Sequence, residues 1–300
     1  MCALAPELLN VNVTNWSYIK YELRKLGYVT KGQLKQSRKL GTKLDRNRAW
    51  ALALKYGSLL NSEGKPLTAE EGEDLLDAIF QLWNKLEIEA PDLEESLLCN
   101  SHPWVRSEFN RLLKNKQDDV EHCDWPNLHR KTLKEAGLTP ATWEMTNSIT
   151  SAWLQLLSKR ENQCLALAMK LHEKRDEALT SVDVYQSINR LFIGLDGCLG
   201  PMLPGARCWL MDEERFMIGS EALVTQCYPM SLLLKWSKAF KKDFCQILMK
   251  NMAGNMYTGS VYFSLLLCVF ALLPGVAGVD DDQSDEESVC GEALLRLCQP

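Results

Sequence analysis

The chain has 300 residues, enough for one large domain or two modest ones, each with its own hydrophobic core. With 46% hydrophobic and 24% charged residues, its composition is that of a globular protein and excludes wholesale disorder. The formal net charge of −5 argues against a nucleic-acid partner, because such proteins usually carry a basic excess.

The N-terminal part of the chain shows helical spacing. Apolar residues recur at this spacing from Trp16 to Leu26, and Gly27 then provides a stop. Residues 49–60 have the same periodicity and predict a second helix. Thr68 and Glu71 form a capping box that opens a third helix. Together these features predict an N-terminal helical bundle.

The segment 31–48 is rich in Lys and Arg and contains a single acidic residue, Asp45. It suits either a solvated basic face or a surface that binds phosphates. No aromatic side chains are interleaved with the basic ones, so we favour the solvated face. A helical nucleic-acid-associated protein remains an alternative function.

The rest of the chain is also predicted to be helical, after an acidic boundary at 87–100. Thr139-Pro140 suits a helix start, and Thr180-Ser181 suits the cap of a helix that runs to Leu195. Further helices are predicted over 213–226, 229–236 and 241–253. The predicted fold is therefore all-α, with an N-terminal helical region (1–90), a linker with a helix (91–140), a helical domain (141–279) and an acidic tail (280–300).

Residues 261–279 contain no charge and are long enough for a membrane helix. Pro274 and Gly275 shorten the helical part to 261–273, which at about 1.5 Å per residue cannot cross a core of ~30 Å. We favour a buried helix. The alternative is a tail-anchored membrane protein whose body lies in the cytosol.

The acidic tail, DDDQSDEES from residue 280, is predicted to be a solubilising or partner-binding segment. Ser284 and Ser288 lie among its acids and are candidate phosphorylation sites for an acidophilic kinase.

The eleven cysteines form no Cys-x-x-Cys pair, and no secretory signal opens the chain. We therefore expect mostly reduced core thiols in a protein of the nucleus or cytoplasm. Thiolates and imidazoles suit zinc, so one candidate metal set is Cys99, His102, Cys123 and His129.

Motifs for catalysis are missing from the sequence. It has no phosphate-binding glycine loop, no zinc-protease motif and no nucleophile elbow. The neighbours His122 and Cys123 would need spatial pairing to act as base and nucleophile, which adjacency in sequence does not provide. We predict a non-enzymatic protein without a cofactor.

The region of about 145–298 resembles a cyclin box, in the manner of a divergent viral cyclin of retroviral type. Ile149 and Trp153-Leu154 match the family's first helix, of the form Ile-x-x-x-Trp-Leu. CLALAMKLHEKR (164–175) and YQSINRLFIGLDG (185–197) are similar to its second and third helices. Farther along, MSLLLKW (230–236) and MYTGSVYFSLLL (256–267) resemble the junction of the two repeats and the buried helix of the second.

This resemblance implies a cyclin-like helical domain that docks a cyclin-dependent kinase or the transcription machinery and alters growth or transcription in a host cell. The residues that it implies for partner binding are Ile149, Trp153, Leu154, Leu191, Phe192 and Leu195. The family's kinase-contacting Lys falls near Asp196 and Gly197, and its partner Glu falls near Ser231. The ion-paired kinase contact is therefore not carried over.

Overall fold

The computed structural model describes residues 2–4, 13–44, 47–116, 124–173, 177–240, 245–255 and 258–273. Within them, helices combine with two sheets, so the fold is mixed α/β and the prediction of an all-α fold is wrong. The chain forms two compact units. The first comprises Met1–Lys35, Asn47–Leu86 and Tyr262–Pro300, and the second comprises Gln36–Arg46 and Glu87–Val261.

The first unit contains a sheet in the order β1-β3-β2, two helices from the N-terminal part of the chain and most of the last described helix, Gly259–Leu272. Its elements are β1 (Cys2–Leu4), α1 (Val13–Lys25), β2 (Tyr28–Gln36), β3 (Asn47–Lys55) and α2 (Ala69–Lys85). The predicted first helix is confirmed, and Gly27 follows its end with a φ of 79°. The predicted capping box is also confirmed, since the Glu71 amide donates to Thr68 Oγ1 at 3.2 Å and the Thr68 amide to Glu71 Oε2 at 2.7 Å.

The second predicted helix, residues 49–60, is instead mostly strand β3. All six residues from Ala49 to Leu54 are buried, on both faces of the strand. A short, continuously apolar run of this kind fits a fully buried strand as well as a helix, and its periodicity does not separate the two. The prediction of an all-helical N-terminal bundle is wrong for this reason.

The second unit is built around an antiparallel sheet in the order β5-β4-β6-β7. Its strands are β4 (Leu179–Asp183), β5 (Ile193–Leu195), β6 (Cys208–Leu210) and β7 (Arg215–Phe216). Its helices are α3 (Pro103–Lys114), α4 (Trp125–Glu135), α5 (Lys159–His172), α6 (Gly219–Val224), α7 (Met230–Phe240) and α8 (Gln246–Asn255), and α9 (Gly259–Leu272) follows. Two longer 3₁₀ segments, Pro140–Ser148 and Ala152–Leu156, precede α5.

The cyclin resemblance places a helix where this sheet lies. Residues 185–197 hold a 3₁₀ turn at Ile188–Arg190 and strand β5 instead of that helix. Thr180 and Ser181, predicted to cap it, are residues of β4. The β-branched residues around Val182 favour a strand, and its side chain is fully buried in the core. The Ile-x-x-x-Trp-Leu segment is 3₁₀ rather than α-helical where it passes through Trp153.

A buried ion pair connects β7 to α6. The guanidinium of Arg215 and the carboxylate of Glu221 are both fully buried and joined by two hydrogen bonds of 2.9 and 2.8 Å. The other Arg215 donors reach the Asn100 side chain at 2.6 Å and the carbonyls of Phe216 and Leu98 at 3.1 and 2.7 Å. Glu221 also accepts from the amides of Leu98 and Ile218 at 2.8 and 3.0 Å. This network fixes the segment before α3 onto the sheet.

The apolar C-terminal stretch forms α9, which ends at Leu272. Cys268 and Val269 are buried there, whereas Phe263 and Phe270 are largely exposed. Within the described residues, no single helix is both long enough and apolar enough to span a membrane. Helices α8 and α9 meet these criteria only as a pair, with a bend of 49° between them.

Candidate ligand-binding cleft

A surface cleft of about 390 Å³ opens in the second unit between α4, the 3₁₀ segment Pro140–Ser148 and the start of α5. We call it the tryptophan cleft, because the indoles of Trp125 and Trp143 line it. Its other lining residues are His129, Arg130, Leu133, Lys159 and Gln163, together with two prolines, Pro126 and Pro140.

Helix α4 provides one wall through residues four positions apart. Trp125, His129 and Leu133 recur at this spacing and therefore share one face of the helix. The Trp125 and His129 rings meet edge to face at 5.1 Å between centroids. Trp143 approaches the same imidazole from the 3₁₀ segment, at 6.0 Å. The buried imidazole thus lies between two half-buried indoles.

The first turns of α5 provide the other wall. Ser158 caps this helix, accepting from the Glu161 amide at 3.2 Å, while the Glu161 carboxylate accepts from the Ser158 amide at 3.0 Å. The capping box fixes the position of the first turn, from which Lys159 reaches the rim of the cleft. Gln163, four residues later, lies on the same face.

An ion pair holds this helix start against the sheet. Arg207, directly before β6, donates to both carboxylate oxygens of Glu161 at 2.6 and 2.8 Å. The Arg207 guanidinium also lies 4.4 Å from the centroid of the Phe216 ring. The Arg207 amide is in turn fixed by Asp183 Oδ1 at 2.9 Å. The wall of the cleft is therefore connected to β4 and β6 by polar contacts.

Behind the cleft, His129 contacts a thiol and an amide. Its Nε2 lies 3.8 Å from Cys164 Sγ, and its Nδ1 lies 2.8 Å from Gln163 Oε1. Burial raises the pKa of the Cys164 thiol to about 12, so the thiol is protonated and donates to Nε2. Burial also lowers the pKa of His129 and favours its neutral form. The proton of the ring then lies on Nδ1 and is donated to Gln163.

The Cys164, His129 and Gln163 side chains have the connectivity of a nucleophile, its base and a group that orients the base. Their chemistry is different, because Cys164 is fully buried and its thiol does not ionise near neutral pH. A thiol that substrate cannot reach and that holds its proton does not attack a carbonyl. This group supports the cleft and is not built for nucleophilic catalysis.

The polar side-chain atoms that line the cleft are nearly all hydrogen-bond donors. They are the indole N–H groups of both tryptophans, the Arg130 guanidinium, the Lys159 ammonium and the Gln163 amide. The one side-chain carbonyl, Gln163 Oε1, already receives the proton of His129. In the part of the chain that the structure describes, neither indole N–H of Trp125 and Trp143 has a protein acceptor. The cleft therefore offers donors that a ligand could satisfy.

A second depression, of about 520 Å³, shares Trp125 and His129 with the tryptophan cleft. It is bordered by Asp124 and Tyr185 and by Arg160. Arg160 donates to the carbonyls of Val184 and Gln186, both at 3.1 Å, and so fixes the loop after β4. Because its donors are used within the protein, this depression has less to offer a ligand.

The predicted zinc ligands have different neighbours. His102 caps α3, accepting from the Trp104 amide at 3.2 Å, and Cys99 is exposed beside Ser101 at 3.2 Å. His129 takes part in the cleft, and Cys123 lies outside the described residues. Among the residues that are described, three or more His, Cys, Asp or Glu side chains do not come together as a metal site. The full set of four stays untested.

The predicted partner-binding residues lie in or against the core of the second unit. Ile149 and Trp153 are buried there, and Leu154 and Leu191 pack against it. Phe192 and Leu195 are half-buried, and Leu195 ends β5. A small cleft of about 260 Å³ beside Trp153 is lined by Phe109 and Arg106. A role of these residues in partner binding stays a prediction, as does phosphorylation of Ser284 and Ser288, which lie outside the described residues.

In the basic segment 31–48, residues 31–36 belong to strand β2, residues 37–39 form a 3₁₀ turn and residues 47–48 begin β3, and several of its cations are paired. Within the first unit Lys31 pairs with Asp77. Within the second unit Lys39 pairs with Glu87 at 3.3 Å and Lys43 with Asp92 at 3.6 Å. These acids reduce the positive potential that a phosphate backbone would need.

Neither a protein-family profile nor a curated protein matches the chain. The cleft was not predicted from the sequence, although the spacing of Trp125, His129 and Leu133 would have indicated one helix face. The approach of Trp143 and Cys164 to that face depends on tertiary packing. No signal in the sequence reports it.

Proposed function

We propose that the chain is a non-enzymatic adaptor and that the tryptophan cleft binds a linear segment of a partner protein. One observation carries this proposal: two half-buried indoles line a concave surface beside two cations. Tryptophan and arginine are the residues most enriched where binding energy concentrates in protein interfaces.

The chemistry behind the cleft supports a binding role over a catalytic one. The Cys164–His129 pair, found there among the residues that the structure describes, is a protonated thiol against a neutral imidazole. Such a pair stabilises the fold but provides no nucleophile. The kinase or transcription partner that the cyclin resemblance implies remains a prediction of that resemblance alone, and the adaptor proposal does not depend on it.

Selection from a random peptide library displayed on phage, with the full chain immobilised, tests this proposal. We expect enriched peptides that bind the wild-type chain and lose binding to Trp143→Leu, which keeps an apolar side chain but removes the indole. Because Trp143 packs against the apolar cluster under the cleft, Lys159→Glu serves as a second variant. A glutamate at the first position of α5 suits the helix dipole, and the unfolding midpoint of the variant checks that the fold is kept.

The matched control is Lys235→Glu, the same charge change at an exposed position in the middle of α7. Peptides whose binding survives both cleft variants, or a selection with no enrichment at all, would contradict the proposed function.

A further inference from the structure

We propose that the occupant of the tryptophan cleft is an extended, proline-containing segment with an acidic side chain. This inference rests on the proposed function and states which class of partner segment fits. Three properties of the cleft carry it: its donors, its flat ring surfaces and the charge of its rim.

Because the cleft side chains are mostly hydrogen-bond donors, a ligand rich in hydrogen-bond acceptors would complement them. An ordinary peptide brings one N–H for each carbonyl, and the lining side chains offer those N–H groups few acceptors, since Gln163 Oε1 already uses one of its two lone pairs for His129. Proline has a carbonyl but no N–H. In the polyproline II conformation the backbone makes no internal hydrogen bonds, so its carbonyls are free to accept from the indoles of Trp125 and Trp143.

The ring surfaces fit the same class. Trp125 and Trp143 flank the cleft, and Pro126 and Pro140 extend its apolar surface. Grooves lined by aromatic rings are a recurring way to bind polyproline II segments, which lose little conformational entropy because they are already extended. A helical peptide would instead need a longer apolar groove for anchors one turn apart.

The rim determines the charge of the occupant. Arg130 and Lys159 line the cleft, and the lining set holds no Asp or Glu among the residues described. One nitrogen of the Arg130 guanidinium donates to the side chain of Asn127, a neutral acceptor that leaves the positive charge in place. A carboxylate on the ligand would be attracted by the positive charge of this rim. A basic segment would be repelled.

Single-stranded nucleic acid shares the preference for rings and cations but fits less well. The edges of adenine, guanine and cytosine bring amino donors, and the lining side chains offer them few acceptors beyond Gln163 Oε1, which already accepts from His129. A phosphate backbone also uses a longer basic track than two cations provide. We therefore assign the cleft to a peptide.

Fluorescence anisotropy with the full chain and four labelled probes tests this assignment. The probes are an acidic proline-rich peptide, the same peptide with every Pro replaced by Ala, the same peptide with every Glu replaced by Lys, and an oligothymidine strand. We expect the first to bind at least about tenfold more tightly than each of the others, a difference of ~1.4 kcal/mol. Lys159→Glu should weaken the acidic probe about tenfold, whereas Lys235→Glu should leave it unchanged.

The two proposals fail in different ways. If library peptides bind in the cleft but are neither proline-containing nor acidic, or if the Ala probe binds as well as the Pro probe, the assignment of the occupant is overturned and the adaptor function stands. If oligothymidine binds and no peptide does, both are overturned. Binding of the acidic proline-rich probe that Trp143→Leu and Lys159→Glu both leave unchanged would overturn the assignment to this cleft.

Discussion

Two polar groups in the second unit show opposite ways of using hydrogen-bonding atoms. In the Arg215–Glu221 network, all five N–H groups of the guanidinium have protein acceptors, and each carboxylate oxygen receives two donors. In the tryptophan cleft, two indole N–H groups have no acceptor among the described residues. The first group is sealed from solvent, and the second lines a concave surface.

The difference separates a structural role from a binding role on physical grounds. A buried charge with all its partners inside the protein fixes three segments together and has nothing left for a ligand. Hydrogen-bond donors on a surface that have no protein acceptor bind water, and a ligand can displace that water. Substitutions in the two groups should therefore affect different measurements, with stability changed in one and affinity in the other.

The largest expected effect is on stability, from Glu221→Gln. The substitution removes the buried carboxylate charge opposite the Arg215 guanidinium and leaves the more exposed Glu213 carboxylate, 3.8 Å from Nε, as its remaining ion-pair partner. Removing one partner of a buried ion pair costs about 3–5 kcal/mol. Urea unfolding of the full chain measures this loss. The control is Glu135→Gln, which breaks an exposed pair with Lys131 and should cost less than ~1 kcal/mol. Equal losses in both variants would remove the distinction drawn between the sealed network and the surface.

A smaller effect on stability is expected from Glu161→Gln, and this variant should also change the affinity of the cleft for its ligand. The substitution weakens the hydrogen bonds from Arg207, and charged hydrogen bonds of this type contribute about 1.5–3 kcal/mol. Because Glu161 also positions the first turn of α5, where Lys159 lies, the variant should bind the acidic probe less tightly. Unfolding midpoints and anisotropy on the same preparation check both effects. Loss of stability with unchanged affinity would show that the helix start does not position the cleft.

The local signals in the sequence were enough to predict some elements. The capping box at Thr68 and Glu71 and the glycine after α1 are short-range devices, and the structure contains both. Each of these depends on residues within a few positions of one another.

The sheets were missed because their evidence is non-local. Ala49–Leu54 is apolar at every position, and only its burial on both sides marks it as a strand. Strand β4 is defined by antiparallel partners on both sides, at Ile193–Leu195 and Cys208–Leu210. The cleft was missed for the same reason, since Trp125, Trp143 and Gln163 come from three separate segments.

Stability should fall on acidification, and His129 should contribute to the fall. Burial lowers its pKa, so below an ordinary imidazole pKa of about 6.5 the unfolded chain binds a proton that the folded chain resists. The stabilisation is complete above that pH and is lost as pH falls through the folded pKa. Arg160, which also disfavours the charged ring, is positive throughout. Unfolding midpoints at about pH 7.5 and about pH 5 should differ less in His129→Asn than in the wild type, and equal differences would contradict this role.

The smallest effect is expected from Cys164→Ala, and it tests whether the thiol behind the cleft has chemistry of its own. The substitution removes a buried donor to His129 and should cost about 1 kcal/mol of stability while leaving the affinity for the acidic probe unchanged. In the wild type, iodoacetamide should modify the exposed Cys99, whose pKa is lowered by its hydrogen bond to Ser101, well before Cys164, whose burial raises its pKa to about 12. Peptide mapping by mass spectrometry after timed alkylation gives the order. Early modification of Cys164 in the folded chain would mean that the thiol is reachable and ionised. The Cys164–His129–Gln163 group would then be a reactive site. The tryptophan cleft could no longer be described as a surface that only binds a ligand.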